Sequence, residues 1–340
     1  MSRSFLQHAL SCAALAVVAL GTAVPAQAEQ RAVCYNCPPE WADWGSQLKA
    51  INSRLGIVMP PDNKNSGQSI AAMIAERAKP VTDMVYLGGI SADTAVSADV
   101  LTPYKPQGWD KIPAALKDPQ GRWFTIHSGT LGLFVNTAAL GNVPVPQSWN
   151  DLLKPEYKGM VGYLDPTSAA VGQLSVMAVN LALGGSYDNL DPGVKFFKAL
   201  AKNEPIVPKQ TSYARVISGE IPILIDYDFN AYRAEYTDKA PARFVIPKEG
   251  SVVMPYIMGL AKNGPNAANG RKVLDFVLSP ESQKMWGDAY LRPVFAQYLS
   301  PQAKSRFLPD SEYARARAVD LKQLAAAQPK IVERYKNEVQ

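Results

Sequence analysis

Apolar positions alternate in spacing along the first hundred residues. Residues 31–35 read as a strand. Residues 40–54 read as a helix, because Trp41, Trp44, Leu48 and Ile51 recur at the spacing that lines one helical face. Residues 57–59 predict a short strand. Residues 67–78 predict a second helix, with Ile70, Met73 and Ile74 on one side, and residues 81–87 an apolar strand ending at Gly88-Gly89. Such a β-α-β-α-β order predicts an α/β fold with a mostly parallel sheet covered by helices. Residues 122–136 form a long β-rich run, broken at His127-Ser128-Gly129, that suits a strand passing from one lobe into another. A second α/β series occupies residues 161–246. It holds a helix from near Thr167, a helix with Asp191 as N-cap and Pro192 at its first position, a short helix from Ser212 and a strand over 221–226. Residues 251–260 read as a strand crossing back. Helices follow from near Pro265 and Pro280, with a helix-rich tail from Glu312. Prolines fall mostly at element boundaries, as punctuation.

The beginning of the chain sets the compartment. Arg3, an apolar run over residues 9–21 and Ala26-Gln27-Ala28 together read as a signal peptide cut after Ala28. The run is short for a bilayer span, which needs about 20 apolar residues, and Cys12 lies inside it rather than after it. The mature protein is therefore expected to be soluble and periplasmic. Its length suits two lobes. The chain carries a formal net charge of +5 with scattered charges, and no basic stripe of the kind nucleic acid requires. Cys34 and Cys37 are the cysteines of the mature chain. In an oxidising compartment they are a candidate local disulfide. A thioredoxin-like redox motif would need a different surrounding sequence, and a zinc site would need more ligands.

The order of segments resembles the extracellular solute-binding proteins of ABC transporters. It is most similar to the type II group that includes ferric-iron, thiamine, polyamine and phosphonate binders. Thr82-Asp83-Met84-Val85-Tyr86 resembles the strand before the first ligand loop, and residues 122–136 the first hinge crossing. Ser148-Trp149-Asn150-Asp151-Leu152-Leu153, followed by Pro155-Glu156-Tyr157-Lys158-Gly159, resembles the segment that opens the second lobe. Asp165-Pro166-Thr167-Ser168 and Val216-Ile217-Ser218-Gly219-Glu220 fit two further family turns. The resemblance implies a two-lobed fold with a hinge of two crossing strands and a ligand cleft between the lobes. The expected division is a signal peptide over 1–28, lobe 1 from 29–128 and 251–280, lobe 2 from 129–250, and C-terminal helices over 281–340 packed across both. It also implies a monomer that hands its solute to an inner-membrane ABC permease with a cytoplasmic ATPase.

Ligand loops in open α/β sheets lie beyond the carboxyl ends of the strands, which marks several candidates. Ser66 and Gly67, at a helix start, offer backbone N–H groups to an anion, or Ser66 is a plain N-cap. Thr167 and Ser168 offer the same at a second helix start. Asp226, Tyr227 and Asp228, with Tyr213 and Tyr232 nearby, suit an ammonium by charge-assisted bonds and cation–π contact. Alternatively Tyr227 is core and Asp228 caps a helix around residues 229–236. His127 is either a ligand contact or a satisfied hinge group, and Tyr35 and Tyr86 form an opposite wall or belong to the core. There is no Tyr-Tyr pair of the ferric-binding kind, although Tyr213, Tyr227 and His127 remain a minority iron set.

No phosphate loop with Lys-Ser/Thr, HExxH or GxSxG motif occurs, so no enzyme and no cofactor is expected. The first-choice solute is a small anionic or zwitterionic organic molecule, such as an aminoalkylphosphonate or phosphate ester. Two helix starts would hold its anion, and Asp226 or Asp228 its amine. A polyamine is the runner-up, and ferric iron the third reading.

Overall fold

The structure is a computed structural model that describes residues 30–209 and 212–340. The expected signal peptide and Cys12 lie outside the described residues. Six strands form the main sheet path: β1 (Cys34–Tyr35), β2 (Met84–Gly88), β3 (Phe124–Asn136), β4 (Val161–Gly162), β5 (Ile223–Tyr227) and β6 (Ser251–Ala261). Their spatial order is β1-β2-β6-β3-β5-β4. β1 runs parallel to β2, whereas β6 is antiparallel to both β2 and β3.

β3 joins the two halves of this sheet. Its stretch from Phe124 to Thr130 pairs with β6, and from Leu131 to Val135 it pairs with β5. The strand is continuous through His127-Ser128-Gly129 rather than broken there. The irregularity is a register shift opposite Tyr256 and Ile257, which leaves Ile126 unpaired with β6. β6 lies wholly on the first half, so the return crossing is completed before Ser251, in the turn after the strand Ala242–Val245. Trp149 explains why the 148–159 segment has its composition. Its ring is fully buried, and its indole N–H donates to the Gly250 carbonyl at 2.9 Å, joining the opening of the second half to the return turn.

Helices cover both faces of the sheet. α1 (Trp44–Leu55) starts four residues later than the apolar spacing predicts, because Ala42 and Asp43 both take left-handed backbone angles (φ 52°) that a helix cannot continue. α2 (Ser66–Ala75) is capped by Asn65, not Ser66. The Asn65 side chain accepts from Gln68 N while Gln68 returns a bond to Asn65 N, a reciprocal capping box. α3 (Ala170–Ala182) starts after Thr167 and Ser168, and α4 (Asp191–Ala201) has Leu190 as N-cap with Asp191 as its first residue. α5 (Asp228–Tyr232) follows β5 directly. α6 (Leu321–Glu338) packs on α3 and α4 and on residues 89–97. It thus touches both sheet halves. Trp44, Trp149 and Trp286 are among the largest fully buried side chains, each contributing about 2–3 kcal/mol by removing apolar area from water.

Candidate functional site

The carboxyl ends of β1, β2 and β5 bring the chemistry together. After β1 the chain turns at Asn36 (φ 63°), between Cys34 and Cys37, which are joined by a disulfide. The Asn36 amide donates to the Tyr86 carbonyl at 2.7 Å and approaches Ser66 Oγ at 3.5 Å. Ser66 Oγ in turn accepts from Gly88 N at 3.1 Å. Asn36, the first turn of α2 and the end of β2 therefore form one polar corner. Ser66 is half-buried and Gly67 exposed, at the end of the helix where the dipole and amides favour negative charge. Lys64 lies 4.0 Å over the Tyr35 ring and pairs with Asp62 at 2.6 Å.

Tyr256 links this corner to an aromatic cluster, since a Cβ on Gly88 would lie 3.9 Å from Tyr256 Cε1 and 4.0 Å from Ser66 Oγ. Tyr227 and Phe229 stack with ring centres 5.2 Å apart. Trp41 stands edge-on to Phe229 at 5.3 Å and to Tyr227 at 6.4 Å, and lies 6.2 Å from Tyr256. Trp41 belongs to residues 38–43, which follow β1, whereas Tyr227 and Phe229 close the far end of β5. The contact therefore spans the two sheet halves. Arg233 spans them too, donating from Nη1 to the Glu40 carbonyl at 2.8 Å. Gly129 permits the close approach, since a Cβ there would lie 2.6 Å from Phe229 Cε1 and 2.9 Å from Tyr227 Cδ1.

Several expected contacts are spent on the protein itself. Tyr35 gives its hydroxyl to both Glu76 oxygens. Burial, that hydrogen bond and the Glu76 charge all push its pKa up. Tyr86 is fully buried, stacks on Tyr256 and meets His127 Nε2 at 3.0 Å. His127 is itself fully buried among Tyr86, Tyr256 and Trp286, and desolvation lowers its pKa to about 3. Its ring is neutral and enclosed on the strand shared by the two sheet halves. Tyr213 bonds Asp238 and carries the Arg233 guanidinium over its ring. Tyr232, the last residue of α5, is buried and bonded to the Tyr313 hydroxyl and Leu308 N. Tyr213, Tyr227 and His127 do not form one cluster: His127 and Tyr227 both touch Tyr256, while Tyr213 packs on Phe134.

At the second helix start, the Thr167 and Ser168 amides are already engaged by Asp165. Asp165 already receives Thr167 N on its carboxylate at 2.8 Å, and its carbonyl takes Ser168 N. A carboxylate occupies the donor an anion would seek. The amine role of the two carboxylates is likewise weakened. Asp226 accepts Tyr227 N and the Asn230 amide. Asp228 accepts Thr130 N, Phe229 N and the Tyr313 hydroxyl. Burial dominates both groups and raises each pKa to about 6, against the lowering effect of these donors.

The residues that sequence reasoning missed are Asn36, Trp41, Phe229 and Tyr256. Trp41 shares helical spacing with Trp44, so periodicity assigns it to the buried face of a helix it never enters. Only the left-handed pair at 42–43 turns it outward. Among the described residues, no group of three or more His, Cys, Asp or Glu side chains is placed to hold a metal ion.

Residues 79–323 match the family described as bacterial extracellular solute-binding protein. An uncharacterized protein of Haemophilus influenzae is 28% identical over 309 residues, covering 87% of each chain. A putative 2-aminoethylphosphonate-binding periplasmic protein of Salmonella typhimurium is 25% identical over 243 residues, 70% of this chain and 69% of that one. Among solved structures, the periplasmic binding protein AfuA of Actinobacillus pleuropneumoniae, with exogenous fructose-6-phosphate bound, aligns at TM-score 0.74 and 22% identity over 92% of this chain and 99% of its own. The periplasmic binding protein P5PA aligns at TM-score 0.77 and 21% identity over 92% and 100%. Iron-bound HitA of Pseudomonas aeruginosa aligns at TM-score 0.72 and 17% identity over 89% and 99%. These likenesses show the two-lobed binding-protein fold.

Proposed function

The chain belongs to the bacterial extracellular solute-binding protein family, and on that premise we propose that it captures a small phosphonate or phosphate ester, preferably one bearing an amine, for an ABC importer. The observation that carries this reading is the polar corner of Asn36, Ser66, Gly67 and Gly88 at the start of α2, joined through Tyr256 to an aromatic cluster whose rings span the two sheet halves. Free amides in the first turn, on the positive end of a ten-residue helix, suit the anionic head. The rings suit the organic end. Two of the similar proteins support this chemistry, one named for 2-aminoethylphosphonate and one solved with a sugar phosphate bound. Lobe 1 is formed by residues 29–128 and 251–280, lobe 2 by 129–250, with residues 281–340 crossing both. Ligand contact stabilises the state in which the lobes meet. The protein works in the periplasm as a monomer, with an inner-membrane permease and ATPase as partners, and carries out no catalysis.

A polyamine is the second reading, favoured by the same aromatic cluster. Against it, Asp226 and Asp228 are both engaged by backbone and side-chain donors. The test is a thermal-shift and calorimetric panel of 2-aminoethylphosphonate, a sugar phosphate, spermidine and ferric citrate on ligand-stripped mature protein. A solute at about 100 times its dissociation constant adds about 2.7 kcal/mol of stability. Stabilisation by a phosphonate or phosphate ester is expected. Stabilisation by spermidine alone would replace this reading with the polyamine one.

A further inference from the structure

The Cys-x-x-Cys turn carries Asn36 of the anion corner, and it also lies at the root of the contact between the lobes. Cys34 and Cys37 are both fully buried, and their disulfide closes the turn that holds Asn36 against Tyr86 O and Ser66. Residues 38–43 leave that turn directly. They are folded on themselves by Trp41 N to Pro38 O, Trp44 N to Trp41 O and Gly45 N to Pro39 O. Pro38 and Pro39 fix two φ angles, and Ala42 and Asp43 complete a rigid projection. Its tip is Trp41, the only one of the six tryptophans that is not buried. A large ring left partly exposed, edge-on to a stacked Tyr227–Phe229 pair on the opposite lobe, is placed to touch whatever enters between them.

Resting on the proposed solute class, we infer that Trp41 is a specificity-determining residue that receives the organic end of the solute, and that the Cys34–Cys37 disulfide positions it. The anion is held at the α2 corner, while the amine is selected over ring faces by cation–π contact instead of an ion pair. Trp41 is the ring of that cluster carried on the loop after β1, whereas Tyr227 and Phe229 come from the end of β5 and Tyr256 from β6.

The experiment compares 2-aminoethylphosphonate with ethylphosphonate, which has the same head and no amine, by calorimetry. The proteins are wild type, Trp41→Phe, Trp41→Ala, Asp226→Asn and the double variant Cys34→Ala/Cys37→Ala, each checked for folding by its thermal midpoint. Wild type should prefer the amine by about tenfold, the scale of a desolvated cation–π contact. Trp41→Ala should abolish that preference by weakening 2-aminoethylphosphonate about tenfold more than ethylphosphonate, and Trp41→Phe should keep part of it. The double cysteine variant should move in the same direction, and Asp226→Asn should keep the preference. Tryptophan emission should shift on binding in wild type and not in Trp41→Phe. Phosphonate binding with the preference intact in Trp41→Ala overturns the role of Trp41 and leaves the solute class standing. A cysteine variant that discriminates like wild type overturns the role of the disulfide. Absence of any phosphonate or phosphate-ester binding by folded wild type overturns the solute class and this inference together.

Discussion

His127 and the carboxylates of Asp226 and Asp228 are fully enclosed, and they respond to pH in opposite senses. In the fold His127 stays neutral down to about pH 3, whereas the unfolded chain takes up that proton near pH 6.5. Its contribution is present above pH 6.5 and is lost as pH falls, by about 1.4 kcal/mol per unit until the folded value is reached. Asp226 and Asp228 keep their protons in the fold up to about pH 6, while unfolded aspartates release them near 3.9. Their contribution is present below that value and is lost as pH rises through 6. Hence the melting temperature of His127→Gln relative to wild type should rise as pH falls from 7 to 4. That of Asp226→Asn relative to wild type should rise as pH goes from 4 to 7. Parallel curves in either case would show that the group is not enclosed as described. Gly129 is tested by sterics. Gly129→Ala drives a methyl into Phe229 and Tyr227 and should cost about 1–3 kcal/mol, read from the denaturant midpoint.

Helix starts carry two kinds of role here, and the caps separate them. Asn65 opens α2, and Asp320 opens α6 by accepting from Gln323 N. Removing either cap costs about 1 kcal/mol. Asn65→Ala should also weaken phosphonate binding, because it frees the turn that aims Ser66 and Gly67. Asp320→Ala should lose similar stability with binding unchanged. Equal effects on binding would detach the α2 corner from the solute. The strands were easier to read than these starts. Apolar runs found β2, β3, β5 and β6 to within a few residues, since a strand buried on both faces announces itself by composition. Helix boundaries were missed where backbone angles decide them, at Ala42-Asp43 and after Thr167-Ser168. Periodicity reports a face, not a φ angle.

Across the whole molecule the two halves meet through Trp41 and Arg233 and, separately, through α6. Arg233→Ala should loosen that meeting. Small-angle scattering of the ligand-free variant should give a larger radius of gyration than wild type, with solute restoring the wild-type value. An unchanged radius would show that the Glu40 contact does not hold the lobes together.

The α/β class, the long shared strand and the family likeness are properties of local sequence, because hydrophobic spacing and short motifs are written along the chain. Ser66 and Gly67 were legible for the same reason, as the polar first residues of an otherwise apolar helix. The fate of each polar group was not legible. Whether Asp228 meets an ammonium or its own neighbours depends on Thr130 and Tyr313, 98 and 85 residues away. Whether Trp41 joins a helix or reaches the opposite lobe depends on two backbone angles and on rings nearly two hundred residues distant. Hydrogen-bond partners are assigned in space, and a polar residue enclosed by the fold takes whichever donor or acceptor the packing brings to it.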